Sequence, residues 1–316
     1  MIKTGVKNKT AYRKYSVAAI KKDFRMNYGV YMLLLPIVLF YIVFMYMPMY
    51  GAVIAFMDYS PALGITGSHW VGLKYFKEFF SSPYFGQVVG NTLIISFYDI
   101  LFGFPAPIIL ALLLNEVGCE WYKKVVQTLT YLPYFISVVV ICGLIRNFVA
   151  TDGLINNIVE MFGGKAENLL MKKEAFRSIF VSSNIWQGIG WNSIIYLAAL
   201  SAVDAELYEA ATIDGAGRLR QVFSVTIPSI MPTIVIMLIL RIGSVMSVSS
   251  DKIILLYNEL TYETADVISS FVFRKGITEY NYSFSTAVGL FNSVINFILI
   301  VLANKLSRRL SDTSLW

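Results

Sequence analysis

The chain has 316 residues, of which 57% are apolar and 15% charged, with a net charge of +6. A soluble domain carries about half apolar and about a quarter charged residues, so this composition excludes an ordinary soluble enzyme or binding domain. The question becomes how often the chain crosses a bilayer.

A crossing helix needs roughly 20 mostly apolar residues. Six segments qualify, near 30–50, 88–114, 126–149, 178–202, 229–248 and 286–303. Pro36, Pro105, Pro107, Pro133 and Pro232 lie inside them. Prolines are tolerated in membrane helices because neighbouring helices satisfy the freed backbone groups. The predicted fold is therefore an all-α membrane protein of six transmembrane helices. Residues 1–28 form a basic N-terminal segment, 29–303 the membrane domain and 304–316 a C-terminal tail.

The N-terminal segment holds Lys3, Lys7, Lys9, Arg13, Lys14, Lys21, Lys22 and Arg25. Beside a membrane span these read as a positive-inside anchor rather than a nucleic-acid-binding arm. The first apolar run continues through "MPMYGAVIAF" without a small-residue cleavage site, so it reads as a span and not a leader. With an inside N-terminus, the inside segments carry 15 of the 26 lysines and arginines. That bias places both termini in the cytoplasm and makes the chain a multi-pass protein of the cell membrane.

In the second span, Asp99 follows Asn91, Ser96 and Tyr98. A charge at that depth is costly and faces the protein interior or water. Arg241 in the fifth span is its candidate partner. The pair reads either as a structural ion pair or as part of a polar cavity, with Asp99, Tyr98 and Arg241 as pathway residues. Arg146, near a span end, is expected to snorkel outward. Cys119 and Cys142 fall in a loop and a span, which disfavours a disulfide. The single His69 does not make a metal site, and none is expected.

The fourth span contains "SSNIWQGIGWNSIIY". Asn184, Gln187 and Trp191 share one helical face, and Trp186, Gly190 and Ser193 an adjacent one. Asn192 adds a third amide. Aromatic faces beside amides suit a sugar, which stacks through its C–H surface and hydrogen-bonds through its hydroxyls. The other reading is helix packing through amides and glycines. Asn292 and Asn296 on the sixth span are further pathway candidates.

Between the fourth and fifth spans stands "ELYEAATIDGAGRLRQVFSVTIPSIMP", Glu206 to Pro232. Asp204 is placed to cap a short helix. Leu207, Ala210 and Ala211 share a face, while Glu206 and Glu209 point elsewhere. Gly215 supplies the turn, and Asp214 is expected to cap a second short helix bearing Arg218, which Pro228 ends. The apolar faces are too small to fold alone. They rest either on lipid headgroups or in a partner protein. The small Ala210, Ala211 and Ala216 and the mixed charge favour a protein partner, since lipid-seeking helices are rich in Lys and Arg.

The run "EAATIDG", nine residues, then "VTIP" resembles the motif of membrane subunits of bacterial ATP-binding-cassette importers. Glu209, Ala210, Ala211, Gly215 and Pro228 match it, with Val225 and Ile227 as mild departures. The resemblance implies that 203–228 is the coupling helix that docks on a cytoplasmic ATPase. "HWVGLKYFKEFF" with "VVGNTLIIS", "YGAVIAFMDYSP" and the closing "SLW" resemble the carbohydrate permeases of that superfamily, in a branch associated with polysaccharide and oligosaccharide uptake. This implies a permease subunit that is not itself an enzyme. Its partners would be a second homologous permease, an ATPase dimer, an extracytoplasmic sugar-binding protein, a carbohydrate substrate and membrane lipids. ATP and Mg would sit on the ATPase, and no cofactor on this chain. "FGGKAE" lacks the glycine spacing and the Ser or Thr of a phosphate-binding loop. No nucleic-acid motif is present. The alternative class is an ion-coupled secondary transporter, which would favour several midplane carboxylates and inverted repeats.

Overall fold

The computed structural model describes residues 17–310 and 314–315, with backbone alone for residues 17–20 and Leu310. Lys3, Lys7, Lys9, Arg13, Lys14 and Trp316 lie outside the described residues. The chain divides into two units, residues 1–53 and 54–316.

The first unit contains α1 (Val17–Met26) and α2 (Tyr28–Phe40). Asn27 breaks the run between them, and its amide donates to Asp23 at 2.8 Å. The helix continues through a wide π turn, Tyr41–Tyr46, and a short α segment, Met47–Met49, into a 3-10 stretch, Tyr50–Phe56. From Tyr28 to Tyr50 its side chains are apolar on every face and exposed. That pattern belongs to a helix solvated by lipid.

The second unit opens with a two-residue antiparallel ribbon, β1 (Met57–Asp58) on β2 (His69–Trp70). α3 (Lys74–Ser81) comes next, then α4 (Phe85–Tyr98), a π turn (Asp99–Gly103) and α5 (Pro105–Glu116). α6 (Glu120–Tyr131) runs into a 3-10 turn, Leu132–Phe135. α7 (Val138–Val149) and α8 (Leu154–Met161) precede the 29-residue α9 (Lys173–Ser201). α10 (Ala205–Ile213) and α11 (Arg218–Gln221) lead to α12 (Ile227–Gly243). α13 (Ser250–Leu256), α14 (Ile268–Phe273) and α15 (Tyr282–Leu310) complete the fold.

Among the described residues, five helical runs are long and apolar enough to cross a membrane: 28–56, 85–116, 138–161, 218–243 and 282–309. α9, the expected fourth span, has the length but not the apolarity. Its serines and amides between Ser182 and Ser193 lower its hydropathy.

The expected third span, 126–149, is not one helix. Pro133 sits in the 3-10 turn and withholds an N–H, and Ser137 starts a new helix by accepting from Val140 N at 3.4 Å. The expected fifth span ends five residues early, at Gly243. Pro228 does not end the second short helix. α11 passes through a π turn, Val222–Thr226, directly into α12, with Pro228 in its first turn. A proline clashes with the carbonyl four residues back. A π turn widens the ladder there. The same device precedes Pro48 and Pro105, each two residues beyond a π turn.

The core forms around α9. Ile95, Ile141, Phe176, Phe180, Ile253 and Leu256 bury together on one side, and Ala111, Tyr196, Leu200 and Ile230 on the other. Gly190 admits α6 so closely that a Cβ there would stand 2.2 Å from the Thr130 carbonyl oxygen. A third cluster gathers Phe79, Val88, Phe271, Phe284 and Val288. The segment from Tyr262 to Arg274 is tied down by polar bonds. Asn91 donates to the carbonyls of Glu263 and Asp266 at 3.0 Å each and accepts from Arg177 at 2.8 Å. Arg274 holds the buried Asp266 carboxylate at 2.5 Å and lies 5.0 Å over the Tyr262 ring.

Candidate functional site

A cavity of about 390 Å³ opens between α4, α9 and the end of α12. The π turn places Asp99 on its wall: the Asp99 carbonyl accepts from Phe104 N, and the carboxylate pairs with the Arg241 guanidinium. The two residues form an ion pair, and both line the cavity. Asp99 is largely buried at 13% side-chain exposure, while Arg241 retains 46%.

α9 contributes Asn184, Gln187, Gly188 and Asn192 to the lining. Asn184 and Gln187 stand one turn apart, and both turn their oxygens to the same cation. The Lys252 ammonium donates to Asn184 Oδ1 at 2.9 Å and to Gln187 Oε1 at 3.2 Å. Lys252 is buried at 2% exposure. Burial pushes its ammonium below the ordinary lysine range, to about 8. Sequence reasoning missed this residue. Its signal was a lone lysine directly before the apolar Ile253–Leu256 of α13.

The other pathway candidates stand elsewhere. Trp191 is stacked on Tyr134 with ring centroids 4.6 Å apart and planes 5° apart, with Phe135 edge-on. Tyr134 lines the cavity and Trp191 does not. Trp186 and Tyr98 are also outside the lining, partly exposed at 42% and 38%. Asn296 accepts from Met246 N at 3.0 Å and donates to Ser247 Oγ at 2.8 Å, fixing the turn after α12. Asn292 lies one turn before it, with Oδ1 buried and unpaired. Arg146 is exposed as expected, and its guanidinium also donates to the Leu255 carbonyl at the end of α13.

The 204–228 element is rigid. Asp204 caps α10 by accepting from Glu206 N at 3.0 Å. α10 ends in paired turn bonds, Ala216 N to Ala211 O at 2.9 Å and Gly215 N to Thr212 O at 3.0 Å. Gly215 has φ +76°, the left-handed residue that such a helix end requires. Asp214 does not cap the second short helix. It terminates α10, and Gly217 stands at the start of α11 instead. The Gln221 amide donates to Thr212 Oγ1 and to the Ala216 carbonyl, both at 3.0 Å. The Tyr208 and Thr226 hydroxyls share a 3.1 Å bond. The turn is thus bolted to the foot of α12.

Its outer surface is unpartnered. Ile213, Leu219 and Phe223 are 87%, 78% and 70% exposed. Among the described residues no ion pair engages Glu206, Glu209, Asp214 or Arg218. Ala210 and Pro228 are exposed, and Ala211 and Ala216 partly so.

The sequence model of one family, described as binding-protein-dependent transport system inner membrane component, matches residues 97–312. The polygalacturonan/rhamnogalacturonan transport system permease protein YteP of Bacillus subtilis (strain 168) is 44% identical over 287 residues, covering 90% of this chain and 89% of YteP. A crystal structure of a bacterial ABC transporter involved in the import of the acidic polysaccharide alginate contains a similar chain. Its TM-score is 0.85 at 41% identity, covering 92% of this chain and 98% of that one. A bacterial alginate ABC transporter in complex with alginate pentasaccharide-bound periplasmic protein gives 0.86 at 40% identity, covering 93% and 99%.

Proposed function

The chain belongs to the family of binding-protein-dependent transport system inner membrane components, and on that premise we propose that it is a permease subunit of an ATP-driven importer of oligosaccharides or polysaccharide-derived sugars. One observation carries the reading: a single chain joins a polar cavity among membrane helices to a rigid, unpartnered turn bolted to the foot of one of them. A cavity alone suits any transporter. The exposed turn, with its small residues and mixed charge, favours a second protein.

In this reading α9 is the fourth of six spans, and both termini and the 204–228 element are cytoplasmic. An ATPase dimer on separate subunits binds ATP and Mg. Its closure pushes on Ile213, Leu219 and Phe223, with Glu206, Glu209, Asp214 and Arg218 orienting the contact. Ala210, Ala211 and Ala216 keep the element thin. Because α11 and α12 form one continuous run, displacement at the turn is delivered along α12 to Arg241, on the cavity wall. A second permease completes the pathway, and an extracytoplasmic binding protein delivers the sugar. The pathway residues are Asp99, Arg241, Asn184, Gln187 and Asn192, with Tyr98, Trp186, Trp191, Asn292 and Asn296 outside the cavity lining.

The test is co-expression with a sister permease, an ATPase and a binding protein, then reconstitution into vesicles. ATP-dependent sugar uptake and co-purification of the ATPase are expected. Uptake driven by an ion gradient without the ATPase would overturn the reading. In intact cells, a cysteine replacing Phe162 should react with an impermeant thiol reagent and one replacing Arg218 should not. The reverse pattern would overturn the orientation.

A further inference from the structure

We propose that Lys252 is a positioning residue that makes the cavity select carboxylated over neutral saccharides. The proposal rests on the sugar-import reading and assigns a substrate class to the same cavity.

An ammonium group only donates hydrogen bonds. Asn184 and Gln187 must therefore turn their oxygens to Lys252, and the geometry shows both doing so, at 2.9 and 3.2 Å. Each amide has one oxygen and one NH2 group. With the oxygens engaged, the NH2 groups are what remain for a ligand. Without the lysine, either amide is free to flip and offer an acceptor. Lys252 is buried behind the lining rather than in it, so it acts through the two amides and through its charge.

The charges around the cavity point the same way. Arg241 and Asp99 offset each other as a pair. Among the described residues Lys252 has no carboxylate within ion-pair distance, so the site carries one net positive charge. Ser244, Ser247 and Ser249 add hydroxyls to the lining. A wall of N–H donors backed by an uncompensated cation favours a carboxylate, and charge-assisted bonds exceed neutral ones in strength. A neutral sugar offers hydroxyls that donate as well as accept, and brings no charge to balance the lysine.

The four-component transporter would be reconstituted with trigalacturonate and galactotriose as paired probes of equal length. In the wild type the ratio of kcat/KM should favour trigalacturonate. Lys252→Met should lower that ratio by about tenfold through KM of the acidic probe, the scale of one lost charge-assisted bond. Galactotriose transport should fall less than trigalacturonate transport, and Lys252→Arg should retain the preference. A purely structural lysine would instead lower both substrates together. An assembled Lys252→Met transporter with an unchanged ratio would overturn the proposal. If Lys252→Met fails to assemble, Asp99→Asn decides: one more unit of positive charge should raise the ratio, and an unchanged or lower ratio would overturn the proposal. Failure of every saccharide to be carried would overturn the sugar-import reading and this inference together. Transport without a shift in ratio would overturn this inference alone.

Discussion

Polar groups in the cavity find partners within the chain, whereas apolar groups on the 204–228 turn do not. Asp99 has Arg241, and Asn184 and Gln187 have Lys252. On the turn, Ile213, Leu219 and Phe223 are left in the open although the turn between them is held by backbone hydrogen bonds. Burying one such side chain is worth about 1.5–3 kcal/mol. The exposed trio is therefore a standing drive for association. The cavity has its amide oxygens engaged and keeps its amide donors for a ligand. The turn is unsatisfied and waits for a surface.

The sharpest way to break this contrast is at Gly215. Its φ of +76° puts a side-chain-bearing residue in the left-handed region, at a cost of roughly 1–2 kcal/mol. A Cβ there meets nothing within 4 Å in the chain itself, so the penalty is conformational, and any steric penalty lies with the partner. Gly215→Leu should insert normally, lose ATPase on co-purification and lose most transport. Gly215→Asn, which tolerates the left-handed region better, should retain more of both. Wild-type coupling in Gly215→Leu would remove the docking role from this turn.

The two regions are also unequally legible in the sequence. The turn reads closely: the Asp204 cap and the Gly215 turn rest on bonds within a few residues. Pro228 fails as a stop, because a π turn absorbs the proline clash and no single-residue preference announces a π turn. The lipid-facing helices are legible as apolar runs. The third departs from its run where Pro133 and Ser137 restart the helix. α9 shows the limit of hydropathy from the other side: its amides are satisfied by Lys252, 65 residues away from Gln187. A partner that distant leaves no periodic trace.

A smaller effect separates the two faces of α9. Gln187 lines the cavity, whereas Trp191 is reached only through Tyr134, whose ring it already stacks against. Gln187→Ala should reduce sugar uptake several-fold, on the scale of one lost hydrogen bond of about 1 kcal/mol. Trp191→Ala should reduce it less, by loosening Tyr134, while ATPase binding is unchanged in both. Kinetics of the two variants in reconstituted vesicles, alongside Tyr134→Ala, make the comparison. A larger loss from Trp191→Ala than from Gln187→Ala would put the indole, not the amides, in the pathway.

The smallest expected effect tests whether the cavity's satisfaction depends on charge. Lys252 is held near 8, below the ordinary lysine value, because burial disfavours its charged form. The ammonium is present below that value and is lost as pH rises through it. At pH 7 about nine in ten molecules carry the charge and at pH 9 about one in ten. Cys142 is the titratable neighbour whose charge acts on Lys252, and a thiolate there would prolong protonation. The preference for trigalacturonate over galactotriose should therefore fall several-fold between pH 7 and pH 9, with the midpoint near 8 in the wild type and lower in Cys142→Ser. Galactotriose transport should stay level, since a neutral ligand does not draw on the charge. Lys252→Met should show no such slope. A slope that persists in Lys252→Met belongs to another group and removes Lys252 from the pH dependence of the selectivity.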